Sequence, residues 1–457
     1  MSVSLWWLGA DHGADYATVV VRCDATETVT VGCDGRTFTG AADINVNDGV
    51  VVVTVTGLTA GTQYAYTVNG TVGGTLRTKK ASGEFWLAFG SCWNKARRDV
   101  LAEVLLADYD IDLAVLLGDL PYTDSASSLW GETTLATHGT TGTVAACIDP
   151  DNYLAHHRQA RKIPGVRELI RSVPTLYMPD DHEYCYDNAC PPNGNGNASH
   201  VLWQAGVPSA SAYADFLTAW DACLAAIDAY RAGNPANSDA GIDADAGYTR
   251  LTIGPAEIFL IDCCRYRTPY TATDDASKTM LAAAQKAWLI AAVTSSTATF
   301  KIIASGKQLF AGGGNTDTWV PSGPNPGYIT ERNEILYALR NVTGMLWVAG
   351  DLHLWSDQWV VADELGAGYP AVSCLVACPT NVDLDPSGIA GYSTGVRSKV
   401  NGYPLTTACA QENVYGLLKV TADRVERYHL SSLHGLRSRG YVDADSNQVQ
   451  YAATRIA

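Results

Sequence analysis

Four short segments carry side chains that can bind a metal ion, and each directly follows a run of apolar residues. They are Gly90-Ser91-Cys92, Gly118-Asp119-Leu120-Pro121-Tyr122, Pro179-Asp180-Asp181-His182-Glu183 and Gly350-Asp351-Leu352-His353. Taken singly, an Asp past a strand usually makes a turn or caps a helix, and a Cys usually packs as a small hydrophobe. Four such ends in one chain, offering thiol, carboxylate, phenol and imidazole, are hard to assign to turns alone. Open α/β sheets bind ligands just beyond the carboxyl ends of their strands, where these residues fall. No Gly-x-Ser-x-Gly elbow or Walker loop is present, so serine-hydrolase and nucleoside-triphosphate chemistry have no support.

The elements that must position these residues are legible as periodicity. Phe85 to Gly90 is a continuous apolar strand, Asp99 to Leu106 has helical spacing, and Leu113 to Leu117 is a second buried strand, together a βαβ unit. Helices are expected at Val166–Ser172, Ala212–Tyr230 and Met280–Val293. Strands are expected at Glu257–Asp262, Lys301–Ala304 and Met345–Ala349, with tail strands at Gly416–Val420 and Val425–His429 and a hairpin near Asp443–Asn447. Ahead of Lys79–Gly83, runs such as Ala17–Arg22, Val50–Val55 and Gln63–Val68 alternate β-branched and aromatic residues between Gly and Asp clusters, which predicts a small β-sandwich. The expected fold is α/β, with a β-sandwich over residues 1–82 and an α/β body over 83–457.

The chain has 457 residues, a net charge of −16 and 17% charged residues. Sparse positive charge argues against nucleic-acid duplexes as partners, since that binding rests on many Lys and Arg contacts to phosphate. No apolar run approaches the ~18 residues of a membrane span. The opening Met1–Trp7 lacks a basic segment and runs into Asp11 and His12, so it does not read as a secretory signal. Twelve cysteines are too dilute for a disulfide scaffold. Cys185 and Cys190 flank a polar loop and would pair only in an oxidising compartment, while Cys263-Cys264 read as buried thiols. His156-His157, beside Arg158, Arg161 and Lys162, reads as a solvated basic helix face. Gly312-Gly313-Gly314-Asn315 matches no phosphate-loop spacing and reads as a plain loop.

Two resemblances add to this. Gly57 to Tyr66 is similar to the entry of the penultimate strand in a fibronectin type III module, where a Leu and a Tyr pack around a Gly-containing turn. Phe89-Gly90-Ser91-Cys92, Leu117-Gly118-Asp119, Asp180-Asp181-His182-Glu183 and Ala349-Gly350-Asp351-Leu352-His353, in that order, resemble the signature of the alkaline phosphatase D (PhoD-like) family, a branch of the calcineurin-like metallophosphoesterases. Asp262 with Arg265 and Arg267, Gln285 with Trp288-Leu289, and Glu331-Arg332 support it. The resemblance spans about residues 84 to 430 and implies a four-layer metallophosphatase β-sandwich flanked by helices.

What this resemblance implies is hydrolysis of phosphate monoesters or diesters by a metal-activated hydroxide. Two ions would share Asp119. Cys92 and Tyr122 would add thiolate and phenolate to one of them, and Asp181, Asp351, His353 and an oxygen of Asn188 would complete the set, with Asp187 as the alternative to Asn188. His182 would assist the leaving group, and Arg265 would hold substrate. Thiolate with phenolate favours ferric iron, and the oxygen-rich neighbour favours calcium, with zinc or manganese as alternatives. The family resemblance places the protein outside the cell or in a periplasm. A competing expectation is an adhesion or structural protein of a virion or cell surface that reuses this fold without turnover, motivated by the β module and the polar composition.

Overall fold

The computed structural model describes residues 2–80, 82–93, 98–123, 149–184, 189–191, 210–243, 246–310, 318–321, 326–351, 353, 355–360, 362–363, 365–378, 396–400, 403–407, 409–410, 413–432, 435–447 and 449–450. The chain makes two compact units, one of residues 1–82 and 93–249, the other of residues 83–92 and 250–457.

The first unit opens with β1 (Val3–Gly9), β2 (Tyr16–Cys23), β3 (Glu27–Cys33), β4 (Arg36–Ala42), β5 (Val50–Thr56), β6 (Gln63–Val68) and β7 (Thr71–Arg77). After β8 (Phe85–Gly90), which belongs to the second unit, follow α1 (Val100–Asp108), β9 (Ile111–Leu117), α2 (Pro150–Ala160), α3 (Val166–Ser172), β10 (Thr175–Met178) and α4 (Ala210–Tyr230). Strands β4, β3, β6 and β7 form one antiparallel sheet. It covers β1, β2 and β5 across a core of Val19, Val21, Val29, Val31, Val53, Val55, Tyr66 and Leu76, the expected sandwich. Leu58 is buried in this core and the Thr59 N–H donates to Tyr64 Oη at 2.9 Å, so the fibronectin-like turn closes as its residues imply.

Strand β2 is buried along almost its whole length, whereas burial along the later part of β5 alternates, its other face being exposed. Strand β1 pairs with β2 and, at Gly9 with Thr175, lies parallel to β10, which in turn pairs in parallel with β9. A buried ion cluster ties the sandwich to the helices behind it. Asp48 accepts from Arg22, from Arg158 of α2 at 2.8 Å and from Tyr230 of α4 at 2.7 Å. Burial alone would raise the Asp48 pKa, but these donors hold it below the usual carboxylate range.

Helix α2 departs from expectation. Its Asp149 cap accepts from the Asp151 N–H, and Pro150 occupies the first turn, where its missing N–H is harmless. The pair His156-His157 is fully buried and Arg161 is 3% exposed, so this face is interior and not a solvated basic surface. His157 stacks on Tyr230, and the Arg161 guanidinium lies over the rings of Tyr177 and Tyr230 at 4.7 and 4.6 Å. Aromatic faces solvate the cation here, a device invisible to helical periodicity. Burial, with Arg161 beside it, holds His157 well below its ordinary pKa and therefore neutral.

The second unit continues from β8 with β11 (Thr249–Ile253), β12 (Ala256–Ile261), α5 (Ala282–Ser295), β13 (Phe300–Ser305), α6 (Ile329–Ala338), β14 (Met345–Ala349), β15 (Trp355–Val360), β16 (Val372–Val376), β17 (Val396–Val400), β18 (Tyr403–Thr407), β19 (Cys409–Ala410), β20 (Val414–Val420), β21 (Arg424–Ser431), β22 (Gly435–Asp443) and β23 (Val449–Gln450). One sheet runs β11-β12-β13-β14-β16-β15-β19, parallel from β12 to β16 and buried in its centre. Within this unit β8 lies antiparallel to β20, followed by β21, β22 and β23. Gly416 of β20 is required by β8, because a Cβ there would lie 2.1 Å from the Phe89 ring. A buried Arg427–Asp357 pair and a His429 Nε2 contact of 2.9 Å with the Val376 carbonyl join the two sheets. Among the described residues no helix is long and apolar enough to cross a membrane.

Candidate functional site

In the first unit the loops after β9 and β10 cross at Gly118. Its φ is 84°, and a Cβ would meet Asp180 Cβ at 2.3 Å, so only glycine lets the two loops pass. Asp119 follows with φ of 56°, a conformation rare for a residue with a side chain and kept where the surroundings over-determine it. The bracing comes from Glu183, fully buried in a single 3-10 turn after β10. Its Oε2 accepts the N–H groups of Asp119 at 2.9 Å and Asp180 at 3.0 Å, and its Oε1 accepts the Leu120 N–H at 2.8 Å and Tyr177 Oη at 2.9 Å. Burial pushes the Glu183 carboxyl up to about 7 against the pull of those donors.

This frame gathers three carboxylates, Asp119, Asp180 and Asp181, each 1% exposed, with ligand oxygens within 4.8 Å of one another. His182 lies within the same reach of Asp119 and Asp181. Two unit charges at that separation repel by about 3 kcal/mol at an effective dielectric near 20. Buried oxygens so arranged suit a cation, and the donor chemistry fits a hard or intermediate metal ion. Tyr122 donates to Asp119 Oδ2 at 3.1 Å, and its ring lies on that of His182 with centroids 4.1 Å apart.

The second unit carries the other expected donors. Cys92 follows β8 and His353 follows β14, both with left-handed backbone (φ of 63° and 52°), as has Asp351 (φ of 69°). Asp351 donates its N–H to Ser91 Oγ, and its carboxylate accepts the fully buried Lys307 Nζ at 2.8 Å. A residue that sequence reasoning missed completes this set. Cys378, past the end of β16, donates to Cys92 with Sγ atoms 3.0 Å apart, and it accepts the His353 N–H at 3.1 Å. Sulfurs and imidazole all lie within 4.8 Å of one another. Burial raises both thiols, but Cys378, His353 and Ser91 hold Cys92 well below its ordinary value, while the neighbouring Cys92 drives Cys378 further up. The signal for Cys378 was the same strand-end logic, since it follows Val372–Val376, a run short enough to be passed over.

The supporting residues prove architectural. Asp262 accepts the N–H groups of Cys264 and Arg265 at 2.9 Å, and the Gln285 amide clasps the Asp262 main chain from both sides. Glu331 accepts the Met280 and Leu281 N–H groups. Arg265, the expected substrate-holding residue, is half-buried just beyond β12. Cys263 and Cys264 are buried, as expected. Asn188, Asp187, Cys185 and Gly312–Gly314 lie outside the described residues.

Comparison with known proteins agrees with this reading of the fold. The structure of PhoD matches with a TM-score of 0.68 and 18% identity, covering 97% of this chain and 92% of that one. A purple acid phosphatase from yellow lupin (Lupinus luteus) seeds matches with a TM-score of 0.59 and 11% identity, over 97% of this chain and 74% of that one. No curated protein matches the sequence significantly. The fold is that of the metallophosphatases, with an antiparallel sandwich in front. The family description "PhoD-like phosphatase" fits residues 85–367, more than half of the chain, and on that match the protein belongs to the PhoD-like phosphatase family.

Proposed function

We propose that this protein hydrolyses small phosphate esters, both monoesters and diesters, in the manner of an alkaline phosphatase or phosphodiesterase. The observation that carries the reading is the trio of buried carboxylates, Asp119, Asp180 and Asp181, with His182 beside it, at strand ends of a PhoD-like chain. Metal ions bound by such donors supply Lewis acidity toward phosphoryl oxygens and lower the pKa of water. The residues of the chain do the rest. Asp119 and Asp181 hold charge in place against their mutual repulsion, and Glu183 fixes the backbone from which they project. His182, half-buried with its ring tilted against that of Tyr122, would give a proton to the departing alkoxide. A thiolate at Cys92 in the second unit would support iron as one cofactor, and the aspartates of the first unit support calcium as another. A net charge of −16 repels anionic esters at long range, so local positive charge must draw them in.

The test is release of p-nitrophenol from p-nitrophenyl phosphate and from bis-p-nitrophenyl phosphate, before and after chelation, with metal content measured on the same sample. Turnover that chelator abolishes and metal restores is expected. A folded, metal-replete protein inert toward both would refute the reading and favour a non-catalytic role.

A further inference from the structure

We propose that Cys378 is a metal ligand, so that the ion reached by Cys92 is held in the second unit by two thiolates and the imidazole of His353. The inference rests on the metal-dependent reading above only in taking Cys92 as a ligand. Three donors from three strand ends, those of β8, β14 and β16, converge within 4.8 Å. Strands β14 and β16 are parallel neighbours with Ala349 opposite Val376, which brings their carboxyl ends side by side. A tetrahedral ion bound at about 2.3 Å from sulfur and 2.0 Å from nitrogen sets sulfurs roughly 3.8 Å apart and sulfur from nitrogen roughly 3.5 Å. The two Sγ atoms stand at 3.0 Å, so parting them by less than about 1 Å seats the ion. Both sulfurs are fully buried, and the His353 N–H already points at Cys378 Sγ, where it would support a thiolate.

Such a set is soft, and its preference is for zinc or iron over magnesium or calcium. A third buried cysteine, Cys374 in β16, belongs to none of the groups that could hold a metal among the described residues and serves as an internal control.

The experiment uses full-length protein, reduced and stripped with chelator, titrated with Co²⁺ while thiolate-to-cobalt charge transfer is followed in the near ultraviolet. Wild-type protein should develop the band. Cys92→Ser and Cys378→Ser should each keep about half of it and bind Co²⁺ at least ~10-fold more weakly, while Cys374→Ser matches wild type. A Cys378→Ser protein with the full band overturns the proposal, as does a wild-type protein with none. Should the variants fail to fold, zinc X-ray absorption on wild-type protein holding one equivalent decides. Two sulfurs at about 2.3 Å support the proposal, and one or none overturns it. Hydrolysis of p-nitrophenyl phosphate on the same preparation reports separately. An active protein with one sulfur ligand refutes the role of Cys378 alone, and an inactive one with two refutes the hydrolase reading alone.

Discussion

Glu183→Gln replaces one oxygen of a carboxylate that receives four hydrogen bonds, three from backbone N–H groups and one from Tyr177. The new amide nitrogen must face donors wherever it points. At the Oε2 place it opposes the N–H groups of both Asp119 and Asp180. At the Oε1 place the Tyr177 hydroxyl can turn and accept from it, and only the Leu120 N–H is left facing a donor. The second orientation should prevail. One buried, unsatisfied N–H costs about 1–3 kcal/mol, and the surviving bonds lose their charge assistance, so about 3 kcal/mol is expected. For a unit of this size that lowers Tm by roughly 6–12 °C. Leu120 adjoins Asp119, and displacement of a reacting group by about 1 Å can cost on the order of 10²-fold in kcat. Calorimetry and p-nitrophenyl phosphate turnover at pH 8, above the value of about 7 to which burial pushes Glu183, would read both quantities. A Gln variant with Tm within about 1 °C and kcat within about twofold of wild type would show that Glu183 braces nothing.

Three other outcomes are expected. His182→Ala should keep its metal content and lose about 10²–10⁴-fold in kcat, most severely for esters with poor leaving groups; equal losses for all leaving groups would remove its role as acid. Asp48→Asn removes the charge that Arg22 and Arg158 share, while Arg22 keeps Asp24 and Ser4 as partners, and should lower stability by about 1–3 kcal/mol in thermal unfolding, whereas an unchanged Tm would mean the cluster contributes nothing net. His12, buried against the Ala10 carbonyl, has its pKa lowered to about 4, chiefly by burial. The unfolded chain therefore takes up the proton first, and stability falls as pH drops from about 6.5 to about 4, by about 3 kcal/mol in all. His12→Asn should make that acid limb shallower, with buried His157 still contributing to it, and an unchanged slope in the variant would mean that His12 contributes nothing.

Much of the molecule was legible because its determinants are local. The Leu58 and Tyr64 turn, the Asp99 cap of α1, whose side chain accepts the Ala102 N–H, and the apolar runs of β8, β9 and β14 each depend on residues within a few positions of one another. What escaped depends on partners distant in sequence. The buried pair His156-His157 looked exposed because its neighbours are basic, and nothing in the helix reveals that Tyr177 and Tyr230 would surround Arg161. Glu183 reads as one more acidic residue until the loop after β9 is seen folded over it. Cys378 follows a five-residue strand whose pairing with β14 creates its setting.

The Asp48 cluster also bears on how the chain is made. Asp48 and Tyr230 are 182 residues apart, and at about 5–20 residues per second the tyrosine follows the aspartate out of the ribosome by roughly 10–40 s. Early in that interval the seven leading strands can already collapse around their valines, yet until Arg158 and β10 are made the β1 edge has no mate and Asp48 lacks two of its donors. A nascent sandwich of this kind exposes an unguarded strand edge to any other copy of itself in the same polysome. Slower initiation or lower temperature is therefore expected to raise the folded yield by favouring the intramolecular partner.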